Sequence, residues 1–522
     1  MTVESLPARV PPGSLNPADL SPLPPVAPST EADIDAAFAA ARAAQPGWAA
    51  LSFDARAEKL LGLARAMHAD QANGAKIMSQ ETGRSELECL MSELVSVVEY
   101  MQGAIKAGRG ALAPEKVGIS MLNFPGKKAV IEAVPRGVVA IIAPWNYPVG
   151  NFMKSLPPAL LSGCGVVIKP SEHTPRSGAW LAGLCAKVFP AGLVSLVQGE
   201  GSVGQALVER ADAVVFTGSV PSGRRVSVRC AERLIPCSAE LGGKDAAIVL
   251  ADCDPERTAL GVAQWAFHNA GQNCAAIERV YVEESVADAF VERLARVASR
   301  LRVADGKAGF SDLGPLQNPA QLAIVEKHVE EAKALGAVVK AGGARTGQGL
   351  GYQPTVLDRC THQMKAVMDE TFGPIVAVIR VKDAEEAVKQ ANDSPYGLNG
   401  SVWTADIAKG EALARRLHVG VALVNNHAFT GGTLPELPWT GVKDTGTGVA
   451  ASRHTYPTFV RRRAVLTDSN KAPDPWWFPA NEDLKAFSAA LIEKQGGSFG
   501  AMLKLGGLLG KRIKAIKALA QG

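Results

Sequence analysis

Cysteine is scarce in this chain. There are eight in 522 residues: Cys89, Cys164, Cys185, Cys230, Cys237, Cys253, Cys274 and Cys360. None forms a CxxC pair, which speaks against a disulfide scaffold or a structural zinc site and fits reduced thiols. HExxH is missing, so the common zinc-hydrolase motif is excluded and no metal site is expected. Long apolar runs are missing too. Stretches such as Val138 to Pro144 fall far short of the ~20 residues needed to span a bilayer. Nor is there an excess of one charge. The 55 basic and 51 acidic residues leave a net +4, too small and dispersed for a nucleic-acid partner. The first residues lack the basic-then-apolar signal pattern, so a cytoplasmic location is expected.

What the chain does contain is ordinary globular material. Hydrophobic residues make up 47% and charged residues 20%, enough for a large buried core. At ~150 residues per domain, the length suggests about three structural units. The 52 glycines and 33 prolines imply many turns between short elements. Residues 1–29, rich in Pro and Ser, read as an extended arm. Ser29 or Thr30 then caps an Ala-rich helical stretch reaching about residue 70, and a second helical stretch covers about 86–107.

From residue 128 the texture changes to short buried strands alternating with helices. The first series of strands is 138–143, 166–169, 194–198 and 213–217, with helices at 150–162, 176–188 and 202–210. A second series follows at 246–250, 278–283, 337–340, 375–380, 400–403 and 421–424. Such alternation predicts two successive α/β units with parallel sheets and right-handed crossovers. A lone late strand is expected near 457–466. No repeat of fixed period is visible.

Six short motifs could carry chemistry, and each has a plain alternative. Gly271-Gln272-Asn273-Cys274 offers a thiol after a helix and a turn, although a lone cysteine is more often a small buried filler. Glu240-Leu241-Gly242-Gly243-Lys244 offers a carboxylate whose pKa apolar surroundings could raise toward a general base, or else a solvated turn residue. Pro144-Trp145-Asn146-Tyr147-Pro148 follows a strand, where ligands bind in open α/β sheets. Asn146 could donate to an oxyanion or merely satisfy its own turn. Phe216-Thr217-Gly218-Ser219, running on to Gly223, follows a strand and opens a helix, a setting for phosphate, but its spacing is GxxxxG and not GxGxxG. Lys169 and Glu172, in Lys169-Pro170-Ser171-Glu172, could hold ribose hydroxyls or form a surface ion pair. Glu370-Thr371-Phe372-Gly373-Pro374 could be a plain turn.

Together, in this order and at these intervals, the motifs resemble the aldehyde dehydrogenase superfamily, from Asn16 to about Leu466. Cys274 lies 34 residues beyond Glu240 (274 − 240), and the ELGGK and GQNC motifs at that interval are hard to reach by chance. The resemblance implies an α/β protein of two Rossmann-like parallel-sheet domains plus a small β extension that pairs subunits. The NAD-binding domain would be 1–118 with 138–242, the catalytic domain 243–444, and the extension 119–137 with 455–468. A homodimer or homotetramer is the usual assembly.

By motif, Cys274 is the expected nucleophile, Asn146 the oxyanion donor and Glu240 the base. They would oxidise an aldehyde to its acid through a thiohemiacetal and a thioester. Ile142, Trp145, Lys169, Glu172, Gly218, Ser219, Gly223, Glu370 and Phe372 are the expected cofactor contacts. Glu172 could bond a ribose 2′-hydroxyl and would repel a 2′-phosphate, so NAD is expected over NADP.

The chain also departs from the family pattern. Residues 438–446 read PWTGVKDTG where PFGGxKxSG is commoner. Val449-Ala450 replace the usual Arg-Glu, and Ser155 stands where many members carry lysine. Residues 501–522, within a 469–522 tail, form a basic amphipathic pattern. Leu505, Leu508, Leu509, Ile513, Ile516 and Leu519 share one side, so the tail either docks on the subunit or touches a membrane surface. Competing readings are a CoA-acylating relative, a membrane-associated fatty aldehyde dehydrogenase and a non-catalytic protein on the same scaffold. No aldehyde is singled out.

Overall fold

The computed structural model describes residues 11–121, 124–306, 310–428, 434 and 436–521. The first ten residues of the expected arm lie outside them. The described remainder of that arm is not free. Ala18 and Leu20 are buried, and the Pro17 carbonyl accepts from the Leu350 N–H. The prolines read as extended, but two apolar side chains had a core to enter.

Thr30, not Ser29, caps the first helix, Glu31–Ala49, in a capping box with Asp33. The helix Phe53–Ala69 follows, capped by Ser52. The expected 86–107 helix is interrupted by a π-helical turn at Leu90–Leu94 before Val97–Ala111.

Seventeen strands are described, and the two large sheets carry the fold. Outside those two sheets, β1 (Glu115–Val117), β2 (Lys127–Pro135) and β17 (Val460–Asp468) form a three-stranded sheet in the order β1-β2-β17, and β15 (Trp439–Thr440) pairs with β16 (Val449–Ala450). The first large sheet contains β3 (Val138–Ile142), β4 (Gly165–Lys169), β5 (Val194–Leu196), β6 (Ala213–Thr217) and β7 (Cys237–Glu240), in the order β5-β4-β3-β6-β7, all parallel. The second contains β8 (Asp245–Val249), β9 (Ile277–Glu283), β10 (Val338–Ala341), β11 (Thr355–Asp358), β12 (Ile375–Val381), β13 (Asn399–Trp403) and β14 (Val421–Val424). Its order is β10-β11-β12-β9-β8-β13-β14, parallel except for β10 against β11.

Alternation along each strand explains why these runs read as continuously apolar. Val139 and Ile141 enter one core with helices on that face, while Val138, Ala140 and Ile142 enter another on the opposite face. Ala247 and Val249 likewise separate from Ala246 and Ile248. A parallel sheet covered on both faces needs apolar side chains at every position. β7 and β11 escaped the sequence reading because Ser238, Glu240 and Asp358 interrupt them.

By packing, the chain forms two compact units, residues 1–113 with 133–461, and residues 114–132 with 462–522. Both large sheets lie in the first. In the second, Lys127 pairs with Asp468 and with Asp474 at 2.9 Å. The tail folds as two helices, Glu482–Gln495 and Phe499–Gln521. Arg512, midway along the second helix, is buried against the segment leading into the first, donating to the Pro475 carbonyl at 2.9 Å, to Asn481 Oδ1 at 2.8 Å and to the Trp477 carbonyl at 2.5 Å. Ala501, Arg512 and Ile516 are buried, while Leu509 and Leu519 are exposed. Part of the apolar stripe is thus already covered within the unit. Among the described residues no helix is long and apolar enough to cross a membrane.

Candidate active site

The chain order of the first sheet reverses at β3, which has β4 on one side and β6 on the other. Ligands bind outside the carboxyl ends of strands at such a switch. Ile142 ends β3 and is buried. Beyond it, the Trp145 ring meets Phe372 edge-on, with centroids 5.4 Å apart at 85°, and His173 at 6.5 Å. Lys169 ends β4. Its Nζ donates to the Pro170 carbonyl at 3.0 Å and lies 3.8 Å from Glu172 Oε2. Burial draws this ammonium below the ordinary lysine value, against the pull of Glu172 and Glu200.

Gly218 follows β6, and its N–H donates to the Glu240 carbonyl at 3.1 Å. Ser219 heads the helix Val220–Glu232 in extended backbone, and its hydroxyl makes no capping bond to that helix. Gly223, buried in the first turn, packs against Leu241. Open helix N–H groups suit a phosphate, a buried lysine with a half-exposed carboxylate suits ribose hydroxyls, and the edge-on rings give an apolar wall. These residues fit a dinucleotide.

Cys274 sits in the second sheet's territory, held by an unusual turn. After the helix Pro255–Phe267, Asn269 and Ala270 both adopt φ of 53° and Gly271 adopts φ of 69°. A Cβ at residue 271 would lie 2.1 Å from the Gly373 carbonyl oxygen, so glycine is required. Holding two ordinary residues left-handed costs about 1–3 kcal/mol each, and side chains enforce it. Asn269 Nδ2 donates to the Asn146 carbonyl at 2.8 Å and to the Gln272 carbonyl at 3.2 Å. Gln272 Nε2 donates to the Pro315 carbonyl at 3.0 Å.

Asn146 is brought to the same loop. Its Nδ2 donates to the Gln272 carbonyl at 3.1 Å, and its Oδ1 accepts from Asn151 Nδ2 at 3.1 Å. The amide nitrogen is therefore held at the cysteine loop, with one of its two hydrogens used. From the other side, a Cβ at Gly243 would lie 2.0 Å from the Cys274 carbonyl oxygen. The Glu240–Lys244 segment is thus packed directly on the cysteine. Leu241 N–H donates to the Thr445 carbonyl at 2.9 Å, and Thr445 Oγ1 to the Gly242 carbonyl at 2.8 Å, so the 438–446 motif braces that segment.

Electrostatics couple these groups. Burial pushes the Cys274 thiol up to about 12, with Lys154 pulling it down and Asp245, Glu240 and Glu370 adding to the rise. Burial also raises Glu240, again opposed by Lys154. Glu370 accepts from the Gly243 N–H at 3.0 Å and is pushed up to about 8 by burial and by Glu278.

Glu278 was not foreseen. It forms a buried ion pair with Lys244 and accepts from the N–H groups of Thr371 at 2.8 Å and Phe372 at 2.9 Å. The Glu370–Phe372 turn is thereby pinned to the Glu240–Lys244 segment. A glutamate one residue into an apolar strand looks solvent-facing in sequence. Lys154 and Tyr100 were also missed as site residues. With Asn273, Ala275 and Trp439 they line a cavity of about 650 Å³, whose wall also includes the exposed Leu87, Met91 and Leu260. Among the described residues no cluster of three or more His, Cys, Asp or Glu could hold a metal.

The family model described as the aldehyde dehydrogenase family matches residues 12–465. A Mycobacterium ulcerans protein whose name places it among NADP(+) succinate-semialdehyde dehydrogenases is 38% identical over 433 residues, covering 82% of this chain and 83% of its own. The 4,4′-diapolycopene aldehyde oxidase of a Methylomonas species is 37% identical, covering 84% and 83%. The NAD+ complex of Bacillus cereus aldehyde dehydrogenase superposes with a TM-score of 0.83 at 31% identity, covering 88% of this chain and 93% of that one. Betaine aldehyde dehydrogenase from Staphylococcus aureus in complex with NAD+ gives 0.83 at 28% identity, covering 89% and 93%. The chain belongs to the aldehyde dehydrogenase family, an oxidoreductase family with the two-sheet α/β fold described above.

Proposed function

We propose that this chain oxidises an aldehyde to the carboxylic acid with NAD. The observation that carries the reading is the Asn146 amide fixed on the Gln272 carbonyl, two residues from a thiol that shares its surroundings with Glu240. Cys274 attacks the carbonyl carbon as thiolate, and the carbonyl oxygen becomes an oxyanion. The second N–H of Asn146 Nδ2 and the Cys274 N–H stabilise it, which favours a thiohemiacetal on the sulfur. When bound, NAD supplies a hydride acceptor. Once the hydride has left, the cysteine carries a thioester. Glu240 takes a proton from water, whose oxygen attacks that thioester and releases the acid and the thiol.

Lys169 and Glu172 would hold the adenosine ribose, Gly218 and Ser219 the pyrophosphate, and Glu370 and Phe372 the nicotinamide ribose. Ile142 and Trp145 wall the crevice, and Gly223 lets the helix lie close. Glu172 supports NAD over NADP because its carboxylate would face a 2′-phosphate. The relatives' names point to different cofactors, so the ratio of kcat/KM for NAD and NADP decides this part. NADH absorbance with an aldehyde panel tests the whole. Wild-type protein should produce NADH and Cys274→Ala none. NADH formation by Cys274→Ala would overturn the assignment, and acyl-CoA in place of free acid would overturn hydrolysis. We further propose a homodimer or homotetramer in the cytoplasm.

A further inference from the structure

The family resemblance expects a lysine at residue 155, but Ser155 stands there and is buried. Lys154, one residue earlier, lies between the short helices Gly150–Met153 and Leu156–Leu161 and extends into the cavity. Its Nζ lies 4.9 Å from the centroid of the Trp439 ring. Trp439 is itself a departure, standing where phenylalanine is commoner. It is buried in one apolar cluster with Ala275 and Ala450, against which Cys274 packs. Ala450 in turn replaces the usual glutamate.

Burial opposes charge on this ammonium, and three groups favour it electrostatically: Tyr100 on the helix Val97–Ala111, which lines the same cavity, Glu240 at the end of β7, and Cys274. Asp245 and Glu370 also act on Cys274, both as negative charges. Lys154 is therefore the cation that acts on nucleophile and base together. Without it, a carboxylate at 240 would add uncompensated to the cost of a thiolate at 274 in buried surroundings, where like charges repel strongly.

We propose that Lys154 is the positioning cation of this site, seated over the Trp439 ring and lowering the cost of placing charge on Cys274 and on Glu240. An ammonium over an indole face is attracted to its quadrupole, most strongly where water is excluded. The displaced lysine, the indole and the small Ala450 lie together at one place in the fold. Two departures that are unrelated in sequence meet at a single contact. The inference rests on the reading of Cys274 as nucleophile and Glu240 as base.

The test uses full-length protein without cofactor. Iodoacetamide labelling of Cys274 is followed from neutral to alkaline pH and read by peptide mass spectrometry, because the labelling rate tracks the thiolate fraction. Lys154→Met should slow labelling at neutral pH about tenfold, one pKa unit being a tenfold change in thiolate. Lys154→Arg, which keeps the charge, should stay within about threefold of wild type. With aldehyde and NAD, the acid limb of kcat should move to higher pH in Lys154→Met as Glu240, the base for thioester hydrolysis, loses its cation. Near-UV circular dichroism checks folding, and Lys154→Gln replaces the methionine variant should that one not fold. An unchanged labelling profile in a folded neutral variant overturns the proposal, whatever happens to kcat. Absence of NADH from wild type with every aldehyde would instead overturn the reaction assignment, leaving the labelling comparison intact.

Discussion

Cys274, Asn146 and Glu240 divide the proposed chemistry, and each can be tested alone. Asn146→Ala removes a donor that Asn151 and the Gln272 carbonyl hold in place, so kcat should fall about 10²–10³-fold. NADH production by folded variant protein measures it. Glu240 has a second, thermodynamic signature. Burial raises its pKa above the ordinary 4.5, so the folded state binds its proton more tightly than the unfolded state. Its contribution to stability is complete below the unfolded value and is lost as pH rises through the raised folded value. Glu240→Gln should therefore unfold at higher urea than wild type at neutral pH, with the difference vanishing in acid. The same variant should accumulate thioester and release little acid. Equal urea midpoints at neutral pH would show that Glu240 carries no such penalty.

At the scale of elements, the site depends on two segments pressed together. The Gly243 backbone abuts the Cys274 carbonyl closely enough that no Cβ fits between them. Gly243→Ala should displace the cysteine loop and abolish activity while leaving both sheets, and hence the far-UV spectrum, intact. The Lys244–Glu278 pair is buried, with side chains 0% and 2% exposed. Removing one partner strands the other charge, a loss of about 3–5 kcal/mol. Glu278→Ala should lower stability by that amount in urea unfolding. It should also raise KM for NAD, because the N–H groups of Thr371 and Phe372 lose their acceptor and the Glu370–Phe372 turn loosens.

For the whole molecule, the second unit presents β17 as an edge strand of its three-stranded sheet, exposed from Arg461 to Asp468. Unpaired edges are templates for another strand. A second copy of this chain is the expected occupant, and Leu466, 61% exposed, lies on that edge. Leu466→Asp should shift sedimentation toward monomer, while a wild type that sediments as monomer at all concentrations would remove the oligomer proposal. The tail helices belong to this same unit, and Arg512 fastens them by hydrogen bonds to carbonyl oxygens. The amphipathic pattern read from residues 501–522 is spent partly on the neighbouring helix.

The sequence by itself determined the two α/β series, because strands buried on both faces must be apolar at every position. It also determined the order and spacing of the six motifs, since chemistry needs those residue types at strand exits and turns. Tertiary structure alone decided which polar residues share the cavity. Nothing in residue order separates Lys154 from Ser155, since adjacent positions at a helix junction point in different directions and only packing shows which enters. Nor could order pair Lys244 with Glu278 or place Trp439 under an ammonium. Those contacts join segments far apart in the chain, and their energy exists only once water has been excluded between them.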